Sequence, residues 1–198
     1  MNANENNIKY ARKQLEEANR RLESVRERAT KIEMEQVIGA LNEESEELIL
    51  DIDQIREIPN EDIEYIVLET VEEQINDIEG RVQNVVIDCQ MCIELSVKSM
   101  FKSVGSDFDY SHGISFDSHN TIDFNSKVPE GFHRKKDIIR AIFLTQLWES
   151  FYELAKYGAP KLNVGPSVIF DIKDGERAIS DASFCVELAE EFVEFVEE

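Results

Sequence analysis

An unbroken heptad pattern in the first 32 residues limits what this chain can fold into more than any other feature. Apolar side chains recur there at spacings of three and four residues, at Ile8, Ala11, Leu15, Ala18, Leu22, Val25, Ala29 and Ile32. Such a seam is typical of a long helix that packs as a coiled coil or as one arm of a helical hairpin. Because exposed apolar seams mark interaction surfaces, we expect this one to be buried against a partner chain or against itself.

The heptad pattern loses its phase near Gly39 and resumes over residues 41–55, before Pro59. Residues 1–58 would then form two helices that fold back on each other, or one bent helix. We predict an N-terminal coiled-coil-like unit over residues 1–58 and a helical bundle over residues 59–198. The alternative, which the spacing fits equally well, is that the N-terminal helices belong to one larger bundle.

Helical patterns continue through residues 59–198, and glycines mark where they stop. A helix is predicted from Asn60 to a C-cap at Gly80, and a second from Arg81 to Gly105, so that the two form a tight hairpin. Two further helices are predicted at 136–157 and 176–198 from apolar residues at helical spacing.

Residues 106–136 are the irregular part of the pattern, where "ISF" and "TIDF" flank "DSHN" and could pair as a short β-hairpin. The predicted fold is therefore all-α. It is an up-and-down helical bundle with an N-terminal helical hairpin or coiled-coil extension and a small irregular or β-hairpin insert.

The length of 198 residues suits one substantial domain, or one domain with a helical appendage. No apolar run approaches the roughly 20 residues that a membrane helix needs. The N-terminus "MNANENNIKYARKQ" has no apolar core of a signal peptide. We therefore expect a cytoplasmic protein that does not enter the membrane.

The formal net charge of -21 is unevenly distributed. Residues 1–31 hold 8 basic and 5 acidic side chains, whereas residues 33–80 hold 1 basic and 17 acidic ones. Phosphate backbones need clustered positive charge, so RNA or a nucleotide would have to bind locally. The acidic run around residues 43–53 is interpreted as a solvated helix face.

One basic cluster outside the N-terminal helix could provide such a local site. The segment "FHRKKDIIR" contributes the predicted anion- or RNA-binding residues His133, Arg134, Lys135, Lys136 and Arg140. A compact group of cations could hold a phosphate. The alternative interpretation is a solvated surface face.

The three cysteines, Cys89, Cys92 and Cys185, give no disulfide framework in a chain without a secretory signal. Cys89 and Cys92 lie one helical turn apart, and few other ligands accompany them. We predict buried core residues, no metal site and no cofactor. Phosphate-binding loops and hydrolase motifs are also absent from the sequence.

The segment "EGRVQNVVIDCQMCIELSVKSMFKSVG", followed by "YSHGI", resembles the core hairpin of HEPN domains. The matching residues are Gly80, Glu94, Lys98, Gly105 and the Ser111-His112 pair. The later "YELAKYGAP" and "CVELAEEFVEFVEE" are similar to the end of the third helix and to the last helix of that family. The resemblance covers about residues 60–198.

The resemblance implies a bundle of four or five helices, often dimeric, in toxin-antitoxin and defence systems and frequently beside a minimal nucleotidyltransferase. Many members are metal-independent ribonucleases with an Arg-x(4-6)-His motif, and no histidine here follows an arginine at that spacing. We therefore predict a non-catalytic HEPN-like interaction protein that forms a homo-oligomer or binds a protein partner, with a minimal nucleotidyltransferase as one candidate. The alternative is a metal-independent endoribonuclease toxin with an altered active site, in which His112 would be the catalytic base.

Overall fold

The computed structural model describes the backbone of residues 3–44, 60–108 and 112–198, and side chains at 5–29, 82–108, 112–166 and 168–198. These ranges are predominantly helical. The α-helices are α1 (Ala3–Glu44), α2 (Asn60–Ser103), α3 (His119–Lys127), α4 (Lys135–Tyr157) and α5 (Ile172–Glu197), with 3-10 turns at Pro160–Leu162 and Pro166–Val168. Within these ranges there is no strand, and the prediction of an all-α bundle is confirmed.

The C-terminal half of α2 is the centre of the bundle, because α1, α4 and α5 all pack against it. Its apolar residues lie on the predicted inner face and are fully or almost fully buried: Val82, Val85, Cys89, Ile93, Val97 and Met100. The first helix belongs to the same core. Its seam residues Ala11, Leu15, Ala18, Leu22 and Val25 are buried there, and the Arg12 guanidinium donates to the Glu197 carboxylate of α5 at 2.6 Å.

The seam of α1 is thus buried within the chain over its described part, and not against a second chain. The proposed boundary between residues 58 and 59 lies outside the described residues, as does most of the helix predicted over residues 41–58. A break between two helices near Gly39 does not occur, because α1 continues through this residue to Glu44.

The predicted hairpin turn at Gly80 is also wrong, since α2 runs without interruption from Asn60 to Ser103. A single glycine costs a helix only about 1 kcal/mol, and good helix formers flank Gly80 on both sides with no proline to stop the helix. The predicted stop at Gly105 is confirmed. Gly105 has φ +70, and the amide of Ser106 donates to the Phe101 carbonyl at 2.9 Å, which is a Schellman ending.

The β-hairpin predicted in the insert is replaced by helix α3. The Ser118 hydroxyl accepts from the Thr121 amide at 3.1 Å and caps the helix. Thr121 and Phe124 are spaced for one helix face, and the Phe124 ring stacks on Phe101 with centroids 4.0 Å apart. The β-branched and aromatic residues of "TIDF" favoured a strand, but the cap and this packing select the helix.

Candidate functional site

A buried ion pair lies on α2 near its C-terminal end. Glu94 and Lys98 are one helical turn apart, are 6% and 7% exposed, and join through Lys98 Nζ and Glu94 Oε1 at 2.5 Å. Charged groups are seldom buried unless they are paired, because each loses its hydration. The four-residue spacing of Glu94 and Lys98 therefore lets the two opposite charges neutralise each other inside the bundle.

The loop after α2 adds a histidine to this pair. Nδ1 of His112 donates to Glu94 Oε2 at 3.0 Å, and the side-chain amide of Gln90 donates both to the same oxygen at 3.1 Å and to the His112 carbonyl at 3.2 Å. With Nδ1 donating, Nε2 is the nitrogen of the neutral ring that could accept a proton. The His112 side chain is 49% exposed.

Helix α4 holds the other side of the same loop. The Ile114 amide donates to the Thr145 hydroxyl at 3.0 Å, and the His112 and Tyr152 rings lie 4.8 Å apart. A Cβ at Gly113 would come within 2.1 Å of a Glu149 carboxylate oxygen, so the missing side chain allows α4 to approach. Residues 112–114 are therefore clamped between α2 and α4.

The reactions that this cluster could support depend on whether its cations are free or already paired. Lys98 is buried, is bound to Glu94, and lies 4.9 Å from the centroid of the Phe108 ring. A second lysine, Lys156, donates to the Tyr152 hydroxyl at 3.1 Å, and this hydrogen bond raises its pKa. His112 is thus an oriented imidazole, and Lys98, which shares Glu94 with it, is already neutralised.

The predicted anion-binding residues lie elsewhere, at the start of α4. Arg134 donates to Asp137 and to Glu191 of α5, each at 2.7 Å, and the bond to Asp137 raises its pKa. Arg140 approaches Asp181 at 3.5 Å, and both guanidinium groups lie over the Phe184 ring.

The remaining members of that cluster differ in their surroundings. His133 Nε2 is 3.9 Å from a Glu191 oxygen, whereas Lys135 and Lys136 are exposed and have no ion pair among the described residues. The structure therefore brings Arg134 and Arg140 together over the Phe184 ring and pairs them with carboxylates of α4 and α5. Within the described ranges no contact joins this cluster to His112, and its role in anion binding stays a prediction.

Sequence reasoning missed three partners of His112 and its loop: Gln90, Thr145 and Tyr152. Gln90, Glu94 and Lys98 are polar residues four apart on an otherwise apolar helix face, which is a detectable signal. Thr145 and Tyr152 carry no comparable signal, because their partner is a distant loop.

The three cysteines are free and buried, and burial raises the pKa of each thiol, that of Cys92 to about 12. In the described part of the chain, no three His, Cys, Asp or Glu residues are grouped as a metal ion would require. No helix there is both long enough and apolar enough to cross a membrane.

The helical bundle and its buried Glu94-Lys98 pair, joined to His112 of the following loop, contain the residues on which the resemblance to HEPN domains rests. The HEPN domain profile matches residues 67–198, which is well over half of the chain and includes the whole cluster. The chain therefore belongs to the HEPN domain family. Nothing matches it among curated proteins or among solved structures. Helix α1 lies outside the matched residues.

Proposed function

We propose that this HEPN-domain chain acts by binding and not by catalysis, within a toxin-antitoxin or defence system. The burial of Lys98 supports this proposal most directly. Cleaving RNA without a metal requires a base and also a cation that stabilises charge on the phosphate. Lys98 is 7% exposed and bound to Glu94, so it is not presented to a phosphate. The cluster then serves to fix the loop onto α2 and α4.

The outer face of α4 is the proposed binding surface. We define the outer stripe as Ile139, Phe143, Leu147, Ser150, Leu154 and Tyr157, which follow one another at spacings of three or four residues. Ile139, Phe143 and Tyr157 are 57%, 49% and 63% exposed, whereas Leu147 and Leu154 are partly buried and pack against the core of the chain. A helix that is apolar on both faces is typical of one that packs on both sides, and exposed apolar patches mark interaction sites.

Charge favours a second copy of this chain as the occupant of the outer stripe. No member of the stripe is itself charged, although Lys156 Nζ lies 5.4 Å from the centroid of the Tyr157 ring and the chain has a net charge of -21. Two copies repel one another over most of their surface and can approach closely where charge is absent. A basic partner, such as a nucleotidyltransferase with a positive surface, would gain more from an acidic face.

A mass measurement by light scattering tests this proposal. The chain should elute at twice its monomer mass of 22.8 kDa, and Ile139→Asp with Phe143→Asp should return it to the monomer mass. Ile122→Asp is the matched control, because Ile122 is 62% exposed on α3 and outside the stripe. A monomeric native chain, or a double variant that stays dimeric, would contradict the proposal. A complex with a nucleotidyltransferase but no self-association would replace the second copy by that partner.

One observation supports the endoribonuclease as a second candidate. His112 is half exposed, and its Nδ1 is held by a buried carboxylate, which is how enzymes orient a general base. Lys156 would have to supply the cation from beyond Tyr152. Incubation of single-stranded RNA in the presence of a chelator decides between the two. Cleavage by the native chain that is lost in His112→Asn would establish the enzyme, and no cleavage by either supports the binding protein.

A further inference from the structure

The loop between α4 and α5 carries the two most exposed large apolar side chains in the described part of the protein. Leu162 is 76% exposed and Val168 is 72% exposed. A single exposed apolar residue is common on protein surfaces, but two on one short loop mark a surface that contacts something. We define residues 158–170 as the tip loop. No member of the outer stripe or of the His112 cluster belongs to it.

Backbone hydrogen bonds hold the tip loop in a defined conformation. The Ala159 amide donates to the Val164 carbonyl at 2.9 Å, and the Val164 amide donates to the Ala159 carbonyl at 3.3 Å. Between them, Asn163 has φ +56, a conformation that asparagine adopts more readily than most residues do. Gly158 at the start of the loop has φ +68, and a Cβ there would collide with the Val164 carbonyl oxygen. The loop is therefore a built element of the fold.

The inner side chains of the tip loop fix it to the bundle. Phe170 is 5% exposed, and its ring meets that of Phe151 of α4 with centroids 6.2 Å apart. Ile169 is partly buried and also packs against the core. Leu162 and Val168 are thus presented to solvent on a fixed backbone. A preorganised surface of this kind loses less conformational entropy on binding than a mobile one does.

The charge of the tip loop is opposite in sign to that of the chain. Its one ionisable residue is Lys161, and no acidic residue occurs between Glu153 and Asp171, although the chain has a net charge of -21. An acidic partner segment is repelled by most of this surface but is tolerated at the tip loop, because screening in about 0.15 M salt limits each charge to roughly 8 Å. A basic partner would instead bind to the acidic parts of the surface.

We propose that the tip loop docks an acidic amphipathic segment of a second protein. The apolar side chains of that segment would cover Leu162 and Val168, and its carboxylates would lie beside Lys161. This docking does not depend on association of two copies through the outer stripe.

A membrane fits the tip loop less well than a protein segment does. Leu162 and Val168 together have about half the carbon atoms of a myristoyl chain, which by itself binds membranes only marginally. Anionic lipids would also repel the rest of this acidic chain. Two aliphatic side chains are enough for a protein partner, because shape complementarity and ionic contacts add to their burial.

Selection from a displayed library of random peptides tests the docking. The library is depleted on the Leu162→Asp, Val168→Asp double variant and then selected on the native full chain. The enriched peptides should combine aliphatic or aromatic residues with an excess of Asp and Glu over Lys and Arg. Synthetic copies are then titrated against both chains by fluorescence anisotropy. The double variant should bind them at least about tenfold more weakly, which is the usual effect of losing one well-buried aliphatic contact.

Further variants make the result specific to the tip loop. Lys161→Glu should weaken binding of the same peptides and remove most of its dependence on salt concentration. Ile122→Asp is the matched control, because Ile122 is 62% exposed on α3, and it should bind the peptides as the native chain does. The double variant should have the native mass by light scattering, which separates this docking from association through the outer stripe.

Several outcomes would overturn the proposal. A library that yields no peptide with a preference for the native chain would do so, as would enriched peptides that are basic or uncharged. Equal binding by the double variant would also refute it. Vesicles of phosphatidylcholine and phosphatidylserine should not sediment the native chain, and sedimentation that the double variant loses would assign the tip loop to a membrane instead. A lower mass of the double variant would assign it to a second copy.

Discussion

Breaking the ion pair between Glu94 and Lys98 on one side only should destabilise the chain far more than removing both charges. The side chains of both residues are 8% exposed, so a lone charge at either position would lack both water and a partner. Stranding one charge of a buried pair typically costs about 3–5 kcal/mol. We expect this cost for Glu94→Gln, which leaves the Lys98 ammonium buried, and for Lys98→Met, which leaves the Glu94 carboxylate without its cation.

The double variant with both changes should recover most of that loss, to within about 2 kcal/mol of the native chain, because no uncompensated charge remains. Urea unfolding followed by circular dichroism gives the four free energies of the mutant cycle. In thermal unfolding, a chain of this size loses about 2–4 °C for each 1 kcal/mol, so the single variants should melt about 6–20 °C lower.

An exposed pair on α1 provides the control for this cycle. The Arg20 and Glu17 side chains are 70% and 35% exposed, and Arg20→Met should change stability by less than about 1 kcal/mol. If Lys98→Met cost as little as Arg20→Met, or if the two single losses simply added in the double variant, the pair would not be buried and coupled as described.

Two further predictions concern the thiols and the glycines. The three buried cysteines should resist a thiol reagent at pH 8 in the folded chain and react fully in guanidinium. Burial raises the pKa of Cys92 to about 12, so the free energy of unfolding should be constant below the pKa of the unfolded thiol and should fall as pH rises above it. A lower urea midpoint at high pH would show this fall. Gly158→Ala should lower the free energy of unfolding by more than about 2 kcal/mol, because Gly158 has φ +68 and a Cβ there would lie 2.4 Å from the Val164 carbonyl oxygen. Gly113→Ala should lower it by less, because the flexible Glu149 side chain can move away from the new Cβ. Equal shifts of the melting temperature in the two variants would count against this comparison.

The sequence predicted the inner faces of the helices well, because burial follows local apolar spacing. Cys89, Ile93 and Val97 of α2 lie inside the core as their spacing indicates. Stop signals were less reliable. Gly105 ends α2 where its positive φ is needed for the Schellman turn, whereas Gly80 sits inside the same helix, because a glycine alone does not end a helix whose flanks continue to favour it.

The candidate site was predictable only in its local part. The spacing of Glu94 and Lys98 placed them on one helix face, but the position of His112 depends on how a distant loop folds against two helices. The same limit applies to the basic cluster. Arg134 donates a hydrogen bond to the carboxylate of Glu191, which is 57 residues away in the sequence, and no local sequence pattern predicts that pairing.

Cross-linking at the centre of the outer stripe tests the central claim, association of two copies through α4, most directly. Ser150 is exposed in the middle of the stripe, and the native cysteines are buried, so Ser150→Cys introduces a single accessible thiol. A short bismaleimide should join two copies of Ser150→Cys into a covalent dimer on a denaturing gel. Ser126→Cys, exposed on α3, should give only background. Equal cross-linking at the two positions, or none at Ser150→Cys, would contradict association through the outer stripe.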